Sequence, residues 1–235
     1  MSDTLREKLA AAGRILEREG QGDNIWGHVT ARDPAVPERI LMKPSTIGLE
    51  EMRPDQLITV DFDGKKIDGT MPRHIEVFIH TEIMRARPDV NAVIHTHPLY
   101  AVVFSSLGKP MQPVGHSGAI FFEDLPIFSE TTDLIITPEL GRSVAAVLGK
   151  SNAMLLQNHG IVSVGKTLEE AIFFATHLEL ACQMQLLAEN AGGARALSKT
   201  DDARTKAALM RNEPAYVNVF NYLARKSECR SQGCS

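Results

Sequence analysis

The chain has 235 residues, 43% hydrophobic and 23% charged, a globular balance that excludes a disordered chain, a collagen and a simple coiled coil. That length supports one sizeable core and is short for two enzyme domains, so one domain over residues 1–235 is expected, with an extension from about residue 192. Lys and Arg number 25 against 29 Asp and Glu; the net charge of −4 is too little positive charge for a counterion-releasing grip on phosphate backbones, which excludes nucleic acid as a partner.

In chain order, Ser2 or Asp3 can cap a helix whose Leu5, Leu9, Ala12 and Leu16 recur at helical spacing and which ends near Gly20 and Gly22. The charges at Asp3, Arg6, Glu7 and Lys8 leave no apolar signal core, so a reducing cytoplasm is the expected location. Short strands follow at Ile25 to Arg32, Arg39 to Met42 and Leu57 to Phe62, the last turning at Asp63-Gly64 into Lys65 to Ile67 as a hairpin. Ile75 to Arg87 reads as a helix stopped by Pro88, and Asn91 to His97 as a buried strand. Helices are expected from Pro98 to Leu107 and Pro138 to Leu148, with strands at Met111 to Val114 and Leu134 to Ile136 between them. A strand pair, Ala153 to Gln157 and Ile161 to Val164, flanks Asn158-His159-Gly160. Thr167 and Glu170 form a capping box for a long helix to Ala191, and Asp201 to Leu209 and Tyr216 to Arg225 are terminal helical pieces. The apolar run at Ala153 to Leu156 is far short of the roughly 20 residues of a membrane span, so no membrane is expected. Cys182 reads as a core thiol, and Cys229 and Cys234 as thiols of a polar tail. Without a repeat or a low-complexity linker, the pattern is that of one α/β or α+β domain.

The chemistry concentrates at the end of the strand carrying His95-Thr96-His97. Residues i and i+2 of a strand face the same way, so both imidazoles can meet one cation; alone, the pair is equally compatible with one core and one exposed His. His159 adds a third imidazole at a tight turn, where Gly160 permits an unusual backbone. Glu76 opens a helix one crossover earlier and offers a carboxylate to a metal or a proton. Three imidazoles and a carboxylate without Cys fit Zn, Mn, Fe or Co.

The helix opening Glu76-Val77-Phe78-Ile79-His80, the strand Ala92 to His97, the turn Gln157-Asn158-His159-Gly160 and the run Gly165 to Ala171 together resemble the class II aldolase/adducin family. The resemblance implies an α/β fold, a class II aldolase-like α/β/α layered domain with a mainly antiparallel central sheet. It also implies a homotetramer, or a dimer of tetramers, with active sites between subunits. His95, His97 and His159 match positions that bind one divalent metal ion per subunit, with Mn or Zn foremost, and Glu76 matches the acid/base. Adducin-like members have lost these ligands; this chain keeps them, which favours an enzyme over an interaction module.

Where sugar-phosphate aldolases of that family carry a phosphate cradle of small residues, this chain reads Gly27-His28-Val29-Thr30, Ser45-Thr46 and Arg73-His74-Ile75. His28, Lys43, Arg73 and His74 replace neutral donors by larger or cationic ones, suited to planar carboxylates, and Ser45 joins them as a substrate contact. The aldolases' tyrosine after the second His is missing, and His116 falls near its place. Tyr216 is the candidate for a tyrosine reaching a neighbouring subunit's site. These departures resemble the decarboxylase branch of the family. They imply a small-molecule hydroxy-dicarboxylate substrate, foremost 3-hydroxy-2-methylpyridine-4,5-dicarboxylate of vitamin B6 breakdown, with a dihydroxyphthalate or a non-phosphorylated aldol as alternatives. Ring-carbon protonation would precede loss of CO2, with Glu76 or His116 as donor. His80 is expected to orient or pack near the site, His177 to sit in the core or an interface, and Trp26 and Tyr100 to pack.

Overall fold

Short β-branched and aliphatic runs separated by turns pair here mostly with their antiparallel neighbours, and the result is one sheet through the middle of the molecule. The computed structural model describes residues 3–228, so Cys229 and Cys234 lie outside the described residues. The strands are β1 (His28–Arg32), β2 (Arg39–Met42), β3 (Ile58–Asp61), β4 (Lys66–Asp68), β5 (Ala92–Thr96), β6 (Ile127–Phe128), β7 (Ala153–Leu156) and β8 (Gly160–Gly165). Their order is β4-β3-β2-β1-β5-β8-β7-β6. Every pairing is antiparallel except that of β6 with β7.

The helices are α1 (Asp3–Leu16), α2 (Val77–Ala86), α3 (Leu99–Ser105), α4 (Gly115–Phe121), α5 (Pro138–Leu148), α6 (Leu168–Asn190), α7 (Thr200–Met210) and α8 (Glu213–Glu228). Alternation along the strands divides the core in two. Val29, Ala31, Leu41, Ala92, Ile94 and Leu155 point to the layer of α1, α3, α4, α6 and α8. Ile40, Met42, Val60, Val93, Met154 and Val162 point to α2 and α5. This is the α/β/α layering with a mainly antiparallel sheet that the resemblance implies. Burying such side chains on both faces contributes roughly 1.5–3 kcal/mol each.

α6 is the central helix of the larger layer. By length and composition it is apolar enough to cross a membrane, unlike the short run the strand pattern singles out, but half of its apolar window is buried within the fold. Thr167 caps it through Glu170 N–H, and the Glu170 carboxylate accepts from Lys166 N–H. Cys182 is buried on its inner face. Tyr216, Phe220 and Leu223 fasten α8 to the same core.

Three expected elements differ. The first strand starts at His28, because Asp23 to Trp26 is folded into a bridged turn. Met111 to Val114 and Leu134 to Ile136 do not pair into the sheet, and each is tightened by a three-residue turn: the first is the lead into α4, whose Gly-rich opening hides a helix, and the second is a loop whose Ile135 amide meets Glu76. The strand that does pair there is only Ile127–Phe128, too short to leave a periodic signal.

Candidate metal centre and substrate cleft

The register of β1 on β5 sets His28 opposite His95 and Thr30 opposite Val93, so four polar or apolar side chains of known parity share the face that α2 covers. His95 and His97 project from the end of β5 on this face. His159 arrives from the β7–β8 turn. Asn158, not Gly160, takes the left-handed backbone of that turn, at φ 54°. Gly160 is required for a different reason: a Cβ there would lie 2.3 Å from the Thr96 carbonyl oxygen and 2.8 Å from the His97 ring. The close approach of β8 to β5 is therefore what brings His159 to the other two.

Glu76 is the residue before the first turn of α2, one position later than the expected helix start. Its Oε1 accepts from Ile135 N–H at 2.8 Å and lies 3.6 Å from His159 Nε2, while Oε2 lies 3.8 Å from His95 Nε2. One donor atom from each of Glu76, His95, His97 and His159 falls within 4.8 Å of every other.

Two neighbours settle which nitrogens carry protons. His95 Nδ1 lies 2.9 Å from the Ile161 carbonyl, which can only accept, so Nδ1 is protonated and Nε2 is bare. His97 Nδ1 donates to Asp23 Oδ2 at 3.1 Å, leaving its Nε2 bare as well. The two bare Nε2 atoms face each other at 3.1 Å, a repulsive contact unless a cation lies against both. His159 Nε2 is buried and has no hydrogen-bond partner among the described residues. Burial pushes the pKa of His95 well down, and burial with the neighbouring His159 lowers that of His97, so both are neutral, as ligands must be. Burial alone would raise the pKa of Glu76, but the His159 and His95 rings and the Ile135 amide hold it down at about 2. A neutral-imidazole and carboxylate set of this kind fits a divalent ion such as Zn or Mn.

The cluster stands at one end of a cleft of about 890 Å³ whose lining includes His28, Ser45, Arg73 and His74. Trp26, Ile75, Leu99 and Leu134 also line it and remain exposed. Trp26, expected to pack, is thus a wall of the cleft mouth and 53% exposed. Arg73, in the cleft lining, donates to the His74 carbonyl at 2.7 Å and lies over the Phe78 ring, 5.9 Å from its centroid. His74 is neutral, burial bringing its pKa down to about 3, so it is no cationic grip.

Three expected site residues are not brought into the cleft. Lys43 is fully buried; Nζ donates to the carbonyls of Ile25 and Pro44 and lies 3.3 Å from His74 Nε2, so it ties the Asp23–Trp26 turn to β2. Tyr216 packs against Phe173 and Phe174 in the core on the opposite side of the sheet. His116 is exposed on α4, away from the cleft of its own chain. His177 stacks on Phe173 at 4.0 Å, a core role as expected. Sequence reasoning passed over Asp23 and Thr30, and gave His80 only a general orienting part. Asp23 sits in a turn with no periodicity, and its one signal is that it precedes the first strand of the His face.

Residues 7–186 match the Class II Aldolase and Adducin N-terminal domain. A 4-hydroxy-3-prenylphenylpyruvate oxygenase/4-hydroxy-3-prenylbenzoate synthase of Streptomyces roseochromogenus subsp. oscitans is 39% identical over 193 residues, 81% of this chain and 70% of that one. A 3,4-dihydroxyphthalate decarboxylase of Arthrobacter keyseri is 29% identical over 203 residues, covering 80% of each. The solved L-fuculose 1-phosphate aldolase of Glaciozyma antarctica PI12 superposes with a TM-score of 0.86 at 30% identity, over 96% of this chain and 89% of that one.

Proposed function

The chain belongs to the class II aldolase and adducin family, and on that premise we propose that it is a metal-dependent carboxy-lyase acting on an ortho-hydroxy aromatic or pyridine dicarboxylate. The foremost substrate is 3-hydroxy-2-methylpyridine-4,5-dicarboxylate, with a dihydroxyphthalate next. The observation that carries the proposal is the convergence of the bare Nε2 atoms of His95 and His97, the His159 ring and the Glu76 carboxylate beside Arg73 in one cleft. His95, His97 and His159 would hold one divalent ion, Mn or Zn, with Fe or Co open. When bound, such an ion supplies a Lewis acid for the oxyanion that develops as the C–C bond breaks.

Glu76 rests as a carboxylate, since its pKa is held at about 2. It therefore takes a proton before it gives one: the ring hydroxyl of the incoming substrate yields its proton to Glu76, which delivers it to the ring carbon bearing the carboxylate. The C–C electrons then return toward the ring oxygen, CO2 leaves, and Glu76 is again a carboxylate. Arg73 and Ser45 hold the second carboxylate. His116, exposed on α4, is proposed to serve the cleft of a neighbouring subunit in a homotetramer or a dimer of tetramers. The exposed rim of Trp26, Ile75, Leu99 and Leu134 supports burial of the cleft mouth in that assembly. We place the enzyme in the cytoplasm, as one domain with an extension from about residue 192.

A second reading, oxidative decarboxylation of an arylpyruvate, is favoured by the activity for which the 39% identical relative is named. The deciding experiment is CO2 release from hydroxylated benzene and pyridine dicarboxylates, run with and without oxygen beside fuculose 1-phosphate and a 4-hydroxyphenylpyruvate. Oxygen-independent release from a ring dicarboxylate supports the proposal. Release only from the arylpyruvate in air, or efficient cleavage of the sugar phosphate, overturns it.

A further inference from the structure

Behind the metal cluster lies a second set of buried polar side chains that the proposed reaction does not use. His28 lines the cleft, and its Nδ1 lies 2.5 Å from His80 Nε2. His80 Nδ1 lies 2.7 Å from Thr30 Oγ1, and Thr30 Oγ1 donates to the Val93 carbonyl at 3.3 Å. All of these residues are buried.

From this chain of contacts we infer that His28 is a fixed hydrogen-bond acceptor, and that the substrate carries a second donor, a ring N–H or a second ring hydroxyl, to meet it. The inference rests on the hydroxy-acid reading above. Its direction follows from the one group in the chain that cannot donate, the Val93 carbonyl. The single proton of Thr30 goes to that carbonyl, so the hydroxyl oxygen accepts from His80 Nδ1–H. His80 Nε2 is then bare, and two bare nitrogens cannot sit at 2.5 Å, so His28 Nδ1 carries the proton that joins them. His28 Nε2 is left as a lone pair with no partner among the described residues.

The consequence for recognition reverses the sequence-based expectation that His28 grips a carboxylate. A lone pair repels a carboxylate oxygen and rewards an O–H or N–H. One hydroxyl of the substrate is already committed to Glu76 in the proposed reaction, so the partner of His28 is a separate group. A protonated pyridine nitrogen and the second hydroxyl of a dihydroxyphthalate both meet that requirement; a ring with one hydroxyl and no N–H does not. Thr30 and His80 are positioning residues, acting only through the tautomer of His28.

Two measurements on the zinc-loaded protein test this without turnover. Long-range 1H–15N spectra of histidine-labelled protein, with His28 assigned by its loss in His28→Asn, should show Nδ1 protonated and Nε2 bare. A protonated Nε2 overturns the inference. The second is the affinity of 2-hydroxybenzoate against its 2,3-, 2,4- and 2,5-dihydroxy analogues. At least one analogue should bind about three- to tenfold tighter, the value of one hydrogen bond. Thr30→Val should abolish that gain and Thr30→Ser should keep it. No gain for any isomer, or a gain that survives Thr30→Val, overturns the inference. Failure to release CO2 from any dicarboxylate would strike the proposed reaction and leave the tautomer result standing.

Discussion

The two histidine groups on this face of the sheet differ in how their lone pairs are used. In the first, around Glu76, one nitrogen from each of His95, His97 and His159 converges with a carboxylate oxygen on a common space. In the second, His28, His80 and Thr30 satisfy one another in a closed line and present a single free atom to the cleft. Histidines from β1, β5, α2 and the β7–β8 turn thus form a convergent donor set where their hydrogen-bond partners sit outside the cluster, and a closed line where they sit inside it. Buried polar groups are stable only when paired. The first group is the one whose pairing the chain itself leaves incomplete.

That contrast can be broken most forcefully at the first group. Replacing His95, His97 or His159 by Ala should remove metal and turnover together, read by metal analysis and CO2 release, while the far-ultraviolet spectrum stays that of the folded protein. Full metal occupancy in all three variants would refute the ligand assignment. Glu76→Gln should keep most of the metal and lose turnover by about 10²- to 10⁴-fold, the usual worth of a positioned proton carrier. Near-normal activity in excess metal would make Glu76 a ligand only, and His116→Ala should then carry the chemical defect.

A smaller effect is expected one step out. Asp23 accepts from His97 Nδ1 and fixes its tautomer. Asp23→Asn should weaken metal binding by about 10- to 100-fold, as loss of such outer partners does. Unchanged affinity in a metal titration would mean that the loop geometry alone orients His97. The smallest effect belongs to the second group. Burial holds His80 neutral, with its pKa brought down to about 3 from the usual 6.5. The unfolded chain then binds the extra proton between these values, so the stability from this group is present above about pH 6.5 and is lost as pH falls toward about 3. Urea midpoints of the metal-free protein should fall over that window, and less steeply in His80→Gln. A variant with the same slope would show that His80 does not contribute.

The first group was legible in the sequence because its signals are local: i, i+2 on one strand, and one tight turn. The hairpin at Asp63-Gly64 and the capped α6 were legible for the same reason. The second group spans β1 and α2, and only the packing of α2 over the sheet, which sets His80 against His28 and Thr30, makes neighbours of its members. Lys43 and Tyr216 were misplaced because charge and family position say nothing of which side of a sheet a residue serves. Burial of Lys43 against carbonyls at 2.9 and 3.2 Å is a tertiary fact. α4 escaped notice because Gly115 and Gly118 read as turn residues, yet a Cβ at Gly118 would lie 2.5 Å from the Gln112 carbonyl, a close packing that only the fold reveals.

In the proposed reaction this cleft replaces a ring carboxylate by a proton. Run in D2O under anaerobic conditions with the metal-loaded protein and a hydroxylated ring dicarboxylate, the reaction should place one deuterium on the vacated ring carbon for each CO2 released, read by proton NMR of the product. A product that carries oxygen at that carbon, or one formed only when oxygen is admitted, would contradict it.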